Sequence, residues 1–417
     1  MSLLDPARGA VVVPSGEPRF GGGVVNNSTP LPDSPYKHLA LRDWPFSVVP
    51  RSLHCTFIAG RSQLRNDIES LLVSLTRRSP SSIHVLWSWF GAGKTHSLFY
   101  LANRAHEVTE GALVPLSTVY TEFPKEGRAY IDLYRRFASD ASVDTLEDAF
   151  LEVSTSQASD ELQRKLTYSD PDLAAALRLL SIGKPHEKLL AIRWLRADTL
   201  PPSEFRKVGI SDRIRSTERA VEVQAFWIRL LNDAAVTRGQ LGQRVIWVID
   251  EFQRLSRSGS HAIQDINAGL HSLFNACPNG LTQILSFSGP PDVKRLPDWF
   301  SPELRDRIGA TKIMLLPPLN PSEAATFLLD VLRHFRLGSA SVNSEYFPFT
   351  KESAAYVIER LAQQSELRPR MIMHAFNAVL AIAEPLIEAG TLSHITPAFA
   401  KEALAEYTVV SGDDQDD

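Results

Sequence analysis

Apolar positions along the chain fall into two periods. Short continuous runs such as SIHVLWSW (82–89), ALVPLSTVYTEF (112–123), RVIWVID (244–250), TQILSFSG (282–289) and TKIMLLPPL (311–319) are rich in β-branched and aromatic residues. They predict buried strands. Elsewhere apolar residues recur every three or four positions, which predicts amphipathic helices. Residues 95–108 form one such helix, with Leu98, Tyr100, Leu101 and Ala105 inward. The stretch 128–238 repeats the pattern in AYIDLYRRFA, LEDAFLEV, DLAAALRLL, KLLAIRWLRA and AVEVQAFWIRLLNDAA. From Pro321 onward every segment reads as helical. Pro321 opens one helix with Glu323 in its first turn, and Thr350 caps another although Ser353 stands where a capping box places Glu. Strands alternating with helices predict an α/β fold around a mainly parallel sheet, followed by a small helical domain.

Punctuation divides the chain further. Gly, Pro, Ser and Asn crowd the first residues, predicting a loose arm over 1–38, and SGDDQDD makes 409–417 an acidic tail. Between them lie a first core part (39–125), a helical insertion (126–240), a second core part (241–319) and a helical lid (320–408).

Composition narrows the chemistry only slightly. The 417 residues carry a net charge of −4, so nucleic-acid contact requires a local patch. Cys55 and Cys277 are the only cysteines, which excludes a disulfide framework and a thiolate zinc site and fits a reducing compartment. The N-terminus makes a poor signal peptide, and no apolar run is expected to reach the roughly 20 residues of a membrane span. A cytoplasmic protein without membrane contact is the expectation. No Ser/His/Asp, Cys/His or His-metal spacing stands out, nor any nuclease-like carboxylate pattern.

The chemistry concentrates in the loop Ser88-Trp89-Phe90-Gly91-Ala92-Gly93-Lys94-Thr95-His96, between a strand and a helix. Gly-rich backbone at a helix N-terminus turns N–H groups around a phosphate. Lys94 then reaches the β- and γ-phosphates, and Thr95 offers its hydroxyl to Mg²⁺. Ser88 replaces the first glycine of this pattern, a departure expected to cost conformational freedom because the position is a permissive-φ one. His96 has two readings, phosphate contact or packing. A second strand ends in Asp250-Glu251, supplying a carboxylate for the metal shell and one to polarise water. The acid pair and the Lys-Thr pair in this order point to a nucleoside triphosphatase using ATP and Mg²⁺.

With these motifs the chain resembles the AAA+ ATPases. The segment RDWPFSVVPRSLHCTFIAGRSQLRNDIESLL ahead of the loop is similar to the family's adenine-binding turn, which implies Phe57, Ile58, Gly60 and Arg61 at the base. ILSFSG resembles the sensor-1 strand, implying Ser288 or else Ser286. SPELRDRIG resembles the arginine-finger segment, implying Arg305 or Arg307 reaching a neighbouring subunit; an ordinary surface ion pair with Glu303 or Asp306 is the other reading. ELRPRMIMHAF resembles sensor 2, implying Arg370 or else Arg368. WPFSVVP and RPR look closest to the initiator-like and TniB-like clade. LLAIRWLRADTLPPSEFRKVGISDRI resembles ATP-binding proteins of BREX-type phage-defence systems. The resemblance implies a homo-oligomer acting on DNA or a protein effector.

The insertion carries Arg193, Arg196, Arg206, Lys207, Arg213, Arg215 and Arg219 around Trp194 and Phe205. Either cations and aromatics form a DNA-backbone or partner patch, or the cations are a solvated face and Trp194 lies in the core.

Overall fold

The computed structural model describes residues 34–47, 55–77, 79–155, 169–292, 295–309, 312–338 and 342–405. Most of the N-terminal arm and the whole acidic tail lie outside them. Five strands form one sheet: β1 (Ser82–Ser88), β2 (Leu116–Glu122), β3 (Arg244–Asp250), β4 (Leu281–Ser288) and β5 (Ile313–Leu316). Their order is β2-β3-β4-β1-β5, and every pair is parallel. β3 and β4 are buried at every position, their polar residues Arg244, Asp250, Thr282, Gln283, Ser286 and Ser288 included. β2 and β5 are shorter than the sequence suggests. Pro115 immediately precedes β2, and Pro317-Pro318 follows β5; neither ring can donate to a ladder.

Register aligns the chemistry. Ser88 stands opposite Ser288, and Glu122 opposite Asp250, so the ends of β1, β2, β3 and β4 share the carboxyl edge of the sheet. Ligands of open α/β sheets bind at that edge.

One sheet face packs on the Ser62–Leu75 and Lys94–Thr109 helices through Leu72, Leu98, Leu101, Ile246, Val248 and Ile284. The other face is covered by the insertion. Phe137 meets Trp247 and Trp227 at 5.3 and 5.8 Å, and Tyr130 meets Trp247 at 6.4 Å. The Tyr130–Asp140 and Thr217–Thr237 helices therefore form a layer of the main core.

The lid has its own core, built from the Pro321–Phe335, Lys351–Gln364, Pro369–Glu388 and Pro397–Ala403 helices. Leu39, Leu41 and Phe46 join it, so the chain just past residue 38 packs with the lid. The region after Pro321 is not wholly helical: isolated bridges pair Leu41 with Arg336 and Phe349 with Ile395. The Thr350 cap is reciprocal without a glutamate. Ser353 N donates to Thr350 Oγ1 at 3.1 Å, and Thr350 N donates to Ser353 Oγ at 3.0 Å. Pro369–Glu388 is the one helix among the described residues long and apolar enough to cross a membrane by length and composition, with a mean hydropathy of 1.3 over an 18-residue window. Ile372, Phe376, Val379, Leu380 and Ala383 of this helix lie in the lid core.

Candidate nucleotide site

The loop after β1 makes its turn with two glycines. Gly91 has φ +72° and Gly93 φ +95°, conformations that side chains disfavour. Gly93 caps the Lys94–Thr109 helix, whose first N–H groups face the loop. Ser88 has no positive φ, which corrects the expected cost. It is the last residue of β1, fully buried, and its Oγ donates to Trp89 O at 2.9 Å. At this position the fold asks for a strand residue, and serine suits it.

Lys94 is 6% exposed, and its Nζ donates to Ser288 Oγ at 2.6 Å. Burial pushes its pKa down, Asp250 and Glu251 oppose that, and Arg370 adds to it. Thr95 Oγ1 donates to Asp250 Oδ2 at 2.9 Å. The Asp250 carboxylate also accepts from Tyr120 OH at 2.8 Å, from Ser286 Oγ at 2.8 Å and from Glu251 N at 2.9 Å. Ser286 and Ser288 therefore do different things: one holds Asp250, and the other meets Lys94.

Glu251 follows in the left-handed region, φ 57°, and caps the short 3-10 helix Phe252–Arg257. Such a conformation is costly for a residue with a side chain, and it turns the carboxylate away from the strand direction into the cavity. Burial, then Asp250, raise its pKa, while Arg254 and Lys94 act against them. Gln253 Nε2 donates to Glu251 Oε2 at 2.8 Å.

Lys94, Thr95, Glu251 and Ser288 line one side of a cavity of about 280 Å³, with Asp250 behind Thr95. The other walls come from the segment ahead of the loop and from the lid. Phe57, Ile58 and Arg61 line it, as do Phe327, Val331, Phe335 and Met373 of the lid, which sequence reasoning missed. Phe57 stacks on His334 at 3.9 Å, and Arg61 Nη2 donates to Pro317 O at 2.7 Å. Burial lowers the Arg61 guanidinium to about 10, against the pull of Glu323. Gly60, φ +61°, lets the turn press on the lid, since a Cβ there would lie 2.6 Å from Phe327 Cβ.

His96 faces this turn as well as the cavity. Its Nε2 bonds to Phe57 O at 2.7 Å, and its Nδ1 lies 3.3 Å from Cys55 Sγ. A carbonyl can only accept, so Nε2 carries the proton and Nδ1 is left to accept from the thiol. Burial depresses the imidazole and pushes the Cys55 thiol up to about 12. Packing accounts for these contacts.

The two sensor-2 candidates separate. Arg370 lines the cavity, and its N–H donates to Gly91 O at 3.1 Å. Arg368 lies over the Trp89 ring at 5.6 Å and pairs with Glu366 at 2.9 Å. Phe90 is 46% exposed, with its ring 5.8 Å from Lys94 Nζ. Arg305 and Arg307 do not line this cavity. Arg305 Nη2 donates to Pro297 O at 3.0 Å, and Arg307 lies over Phe274 at 5.5 Å. The surface-pair reading with Glu303 or Asp306 gives way for Arg305 to Asp298, at 3.4 Å.

Hard oxygen donors suit Mg²⁺. Thr95 gives its proton to Asp250, which leaves hydroxyl lone pairs for a cation with the carboxylate directly behind. Among the described residues no group of three or more His, Cys, Asp or Glu could hold a metal by itself. That is compatible with an ion shared with phosphates.

A parallel sheet, a glycine turn into a helix and a helical lid closing over it complete the picture. The fold, a parallel central sheet with flanking helices and a C-terminal helical region, is consistent with that of an AAA+ P-loop NTPase. No protein-family model and no curated protein matches the chain. Among solved structures it is similar to the Aeropyrum pernix ORC2 protein in its ADPNP-ADP complexes, at 14% identity, over 85% of this chain and 71% of that one, with TM-score 0.47. It is similar to Drosophila ORC bound to DNA at 12% identity, over 93% and 70%, with TM-score 0.49. Domain III of the Thermotoga maritima replication initiation protein DnaA matches at 12%, over 85% and 94%, with TM-score 0.39.

The insertion settles one sequence question. Trp194 is 1% exposed and Phe205 fully buried, so neither presents a ring to a base. Arg193 pairs with Asp198, Lys207 with Glu204, Arg215 with Asp212, and Arg219 with Asp170. The aromatic part of the patch is not formed, because Trp194 and Phe205 are core residues, and these four cations pair with local carboxylates.

Proposed function

We propose that the protein is a Mg²⁺-dependent ATPase. The observation that supports it is the convergence of Lys94, Thr95, Glu251 and Ser288 on one side of a cavity whose apolar far walls suit a base, with Asp250 hydrogen-bonded behind Thr95. In this reading the loop N–H groups and Lys94 hold the β- and γ-phosphates, and Thr95 with Asp250 holds the ion. When bound there, the ion would supply positive charge against the negative charge of the transferred phosphoryl group. Glu251 orients and deprotonates the attacking water. Arg370 contacts the γ-phosphate from the same chain. Arg305 or Arg307 completes the site of a neighbouring copy, which couples turnover to assembly.

The work done is action on DNA or on a DNA-bound partner, in a bacterial phage-defence setting suggested by the BREX-like segment of the insertion. A second reading is an ATP-gated switch or transposition regulator that binds a protein effector. The burial of Trp194 and Phe205 favours it.

ATP turnover across a protein concentration series, with and without double-stranded DNA, tests both. Turnover per chain that rises with concentration supports assembly, and stimulation by DNA supports the first reading. Turnover indifferent to DNA supports the second. A Lys94→Ala chain that hydrolyses ATP as fast as the unaltered one refutes the site.

A further inference from the structure

The Glu251 carboxylate is held by a residue that the P-loop and acid-pair patterns do not contain. Gln253 sits on the 3-10 turn Phe252–Arg257, which is pinned by the fully buried Phe252 and Leu255. Phe252 in turn packs on Phe123, Trp299 and Phe300 at 5.4–5.6 Å. From this anchored turn the amide reaches two groups at once. Its Oε1 accepts from Ser288 N at 2.9 Å, and its Nε2 donates to Glu251 Oε2 at 2.8 Å.

The orientation follows from the partners. A backbone N–H can only donate, so the oxygen must face Ser288; the nitrogen is then left for the carboxylate. No other side chain of this length offers one donor and one acceptor in this geometry. Glutamate could not donate to Glu251 at neutral pH, and lysine could not accept from Ser288. Ser288 also receives Lys94 Nζ at 2.6 Å. A continuous path therefore runs Lys94–Ser288–Gln253–Glu251, tying the phosphate-binding ammonium to the base across two strands. Arg254, on the same turn, is 3.8 Å from Glu251 and is drawn away by Glu122 at 2.6 Å and Phe123 O at 2.6 Å. Gln253 is thus the close partner of that carboxylate, and Arg254 a more distant one.

We propose that Gln253 is a positioning residue for the ATPase reaction: it fixes Glu251 in register with Ser288 and Lys94, so that the base is aimed only where the phosphate is held. The proposal rests on the ATPase reading above.

The test uses Gln253→Met, which keeps the length and removes both bonds, and Gln253→Glu, which keeps the acceptor for Ser288 N and loses the donor. In both, kcat should fall by roughly tenfold to a hundredfold, the scale of a misaimed reacting group. Dissociation constants for ADP and a non-hydrolysable ATP analogue should stay within about twofold, as expected when an interaction is lost only in the transition state. The deciding measurement is a double-mutant cycle in single-turnover mode. With Glu251→Gln already present, Gln253→Met should cost nothing further, because its action runs through that carboxylate. Wild-type kcat in Gln253→Met, a loss appearing in nucleotide affinity instead, or an undiminished loss in the Glu251→Gln background overturns the proposal. If Lys94→Ala turns over like wild type, the ATPase site itself is wrong, an outcome recognisable without any Gln253 variant.

Discussion

Ser88→Gly restores the glycine that the P-loop pattern usually has, and the structure predicts that it does harm. The substitution removes the Ser88 Oγ to Trp89 O hydrogen bond of 2.9 Å. Such a bond contributes about 0.5–1.5 kcal/mol net. It also places glycine at the end of a buried strand, where added unfolded-state freedom costs roughly 0.5–1 kcal/mol. The sum is about 1–2.5 kcal/mol of lost stability. No strain is relieved in exchange, because Ser88 has no positive φ and the turn is already made by Gly91 and Gly93. Nucleotide affinity should therefore stay level or weaken. The assay is a thermal melt with and without ADP and Mg²⁺, together with a direct titration of a fluorescent ADP analogue. A melting point lowered by a few degrees with affinity no better than wild type is the expected result. A tenfold gain in affinity, about 1.4 kcal/mol, would refute the reasoning, since it would show serine straining the phosphate-binding geometry.

Other perturbations probe separate parts of the site and scaffold. Tyr120→Phe removes one of the four groups donating to Asp250; the Mg²⁺ concentration for half-maximal turnover should rise about tenfold, and an unchanged Mg²⁺ titration would contradict that. Trp194→Ala should destabilise the chain by about 3–5 kcal/mol and also lose the Trp194 Nε1 bond to Asp212 O at 2.7 Å. Arg193→Ala should change the melt little, as exposed pairs contribute about 0–1 kcal/mol; a specific loss of DNA binding in either variant would revive the insertion patch. His84 is depressed to about 4, mainly by burial and further by Lys312 and Arg244. Between its unfolded value near 6.5 and that value the unfolded chain binds the extra proton, so stability falls with acid over this window by at most about 1.4 kcal/mol per pH unit. His84→Gln should flatten that part of a urea-midpoint against pH curve, and an equally steep curve would exclude the imidazole as its source.

Much of this was legible in the sequence where one physical signal dominates. β3 matches its predicted bounds residue for residue, because the β-branched and aromatic run 245–249 fits a strand buried on both faces. Lys94, Thr95 and Asp250 announce themselves because few residue types bind phosphate and Mg²⁺. What stayed hidden depends on partners far apart in the chain. Tyr120 is one aromatic in a strand until β3 places Asp250 beside it, 130 residues away. Phe327, Val331 and Met373 read as lid core, and only the closing of the lid makes them cavity wall. The insertion shows the converse ambiguity. Arginines alternating with Trp194 and Phe205 look like an interface on paper, yet periodicity cannot say which face is turned inward. Ser88 was misjudged because a motif position was taken to carry a backbone demand that this strand end does not make.

The left-handed backbone at Glu251 has a consequence for how such a chain would age under relaxed selection. A side chain held at φ 57° costs of order 1–3 kcal/mol, and glycine would release that strain. Were turnover no longer required, Glu251→Gly would improve folding while abolishing the base, so mutation and stability would push in the same direction. A copy that has abandoned hydrolysis should therefore betray itself first at this position, with its glycine turn and Lys94 still in place. The reverse path is uphill: regaining the carboxylate means accepting a less stable protein before any benefit returns.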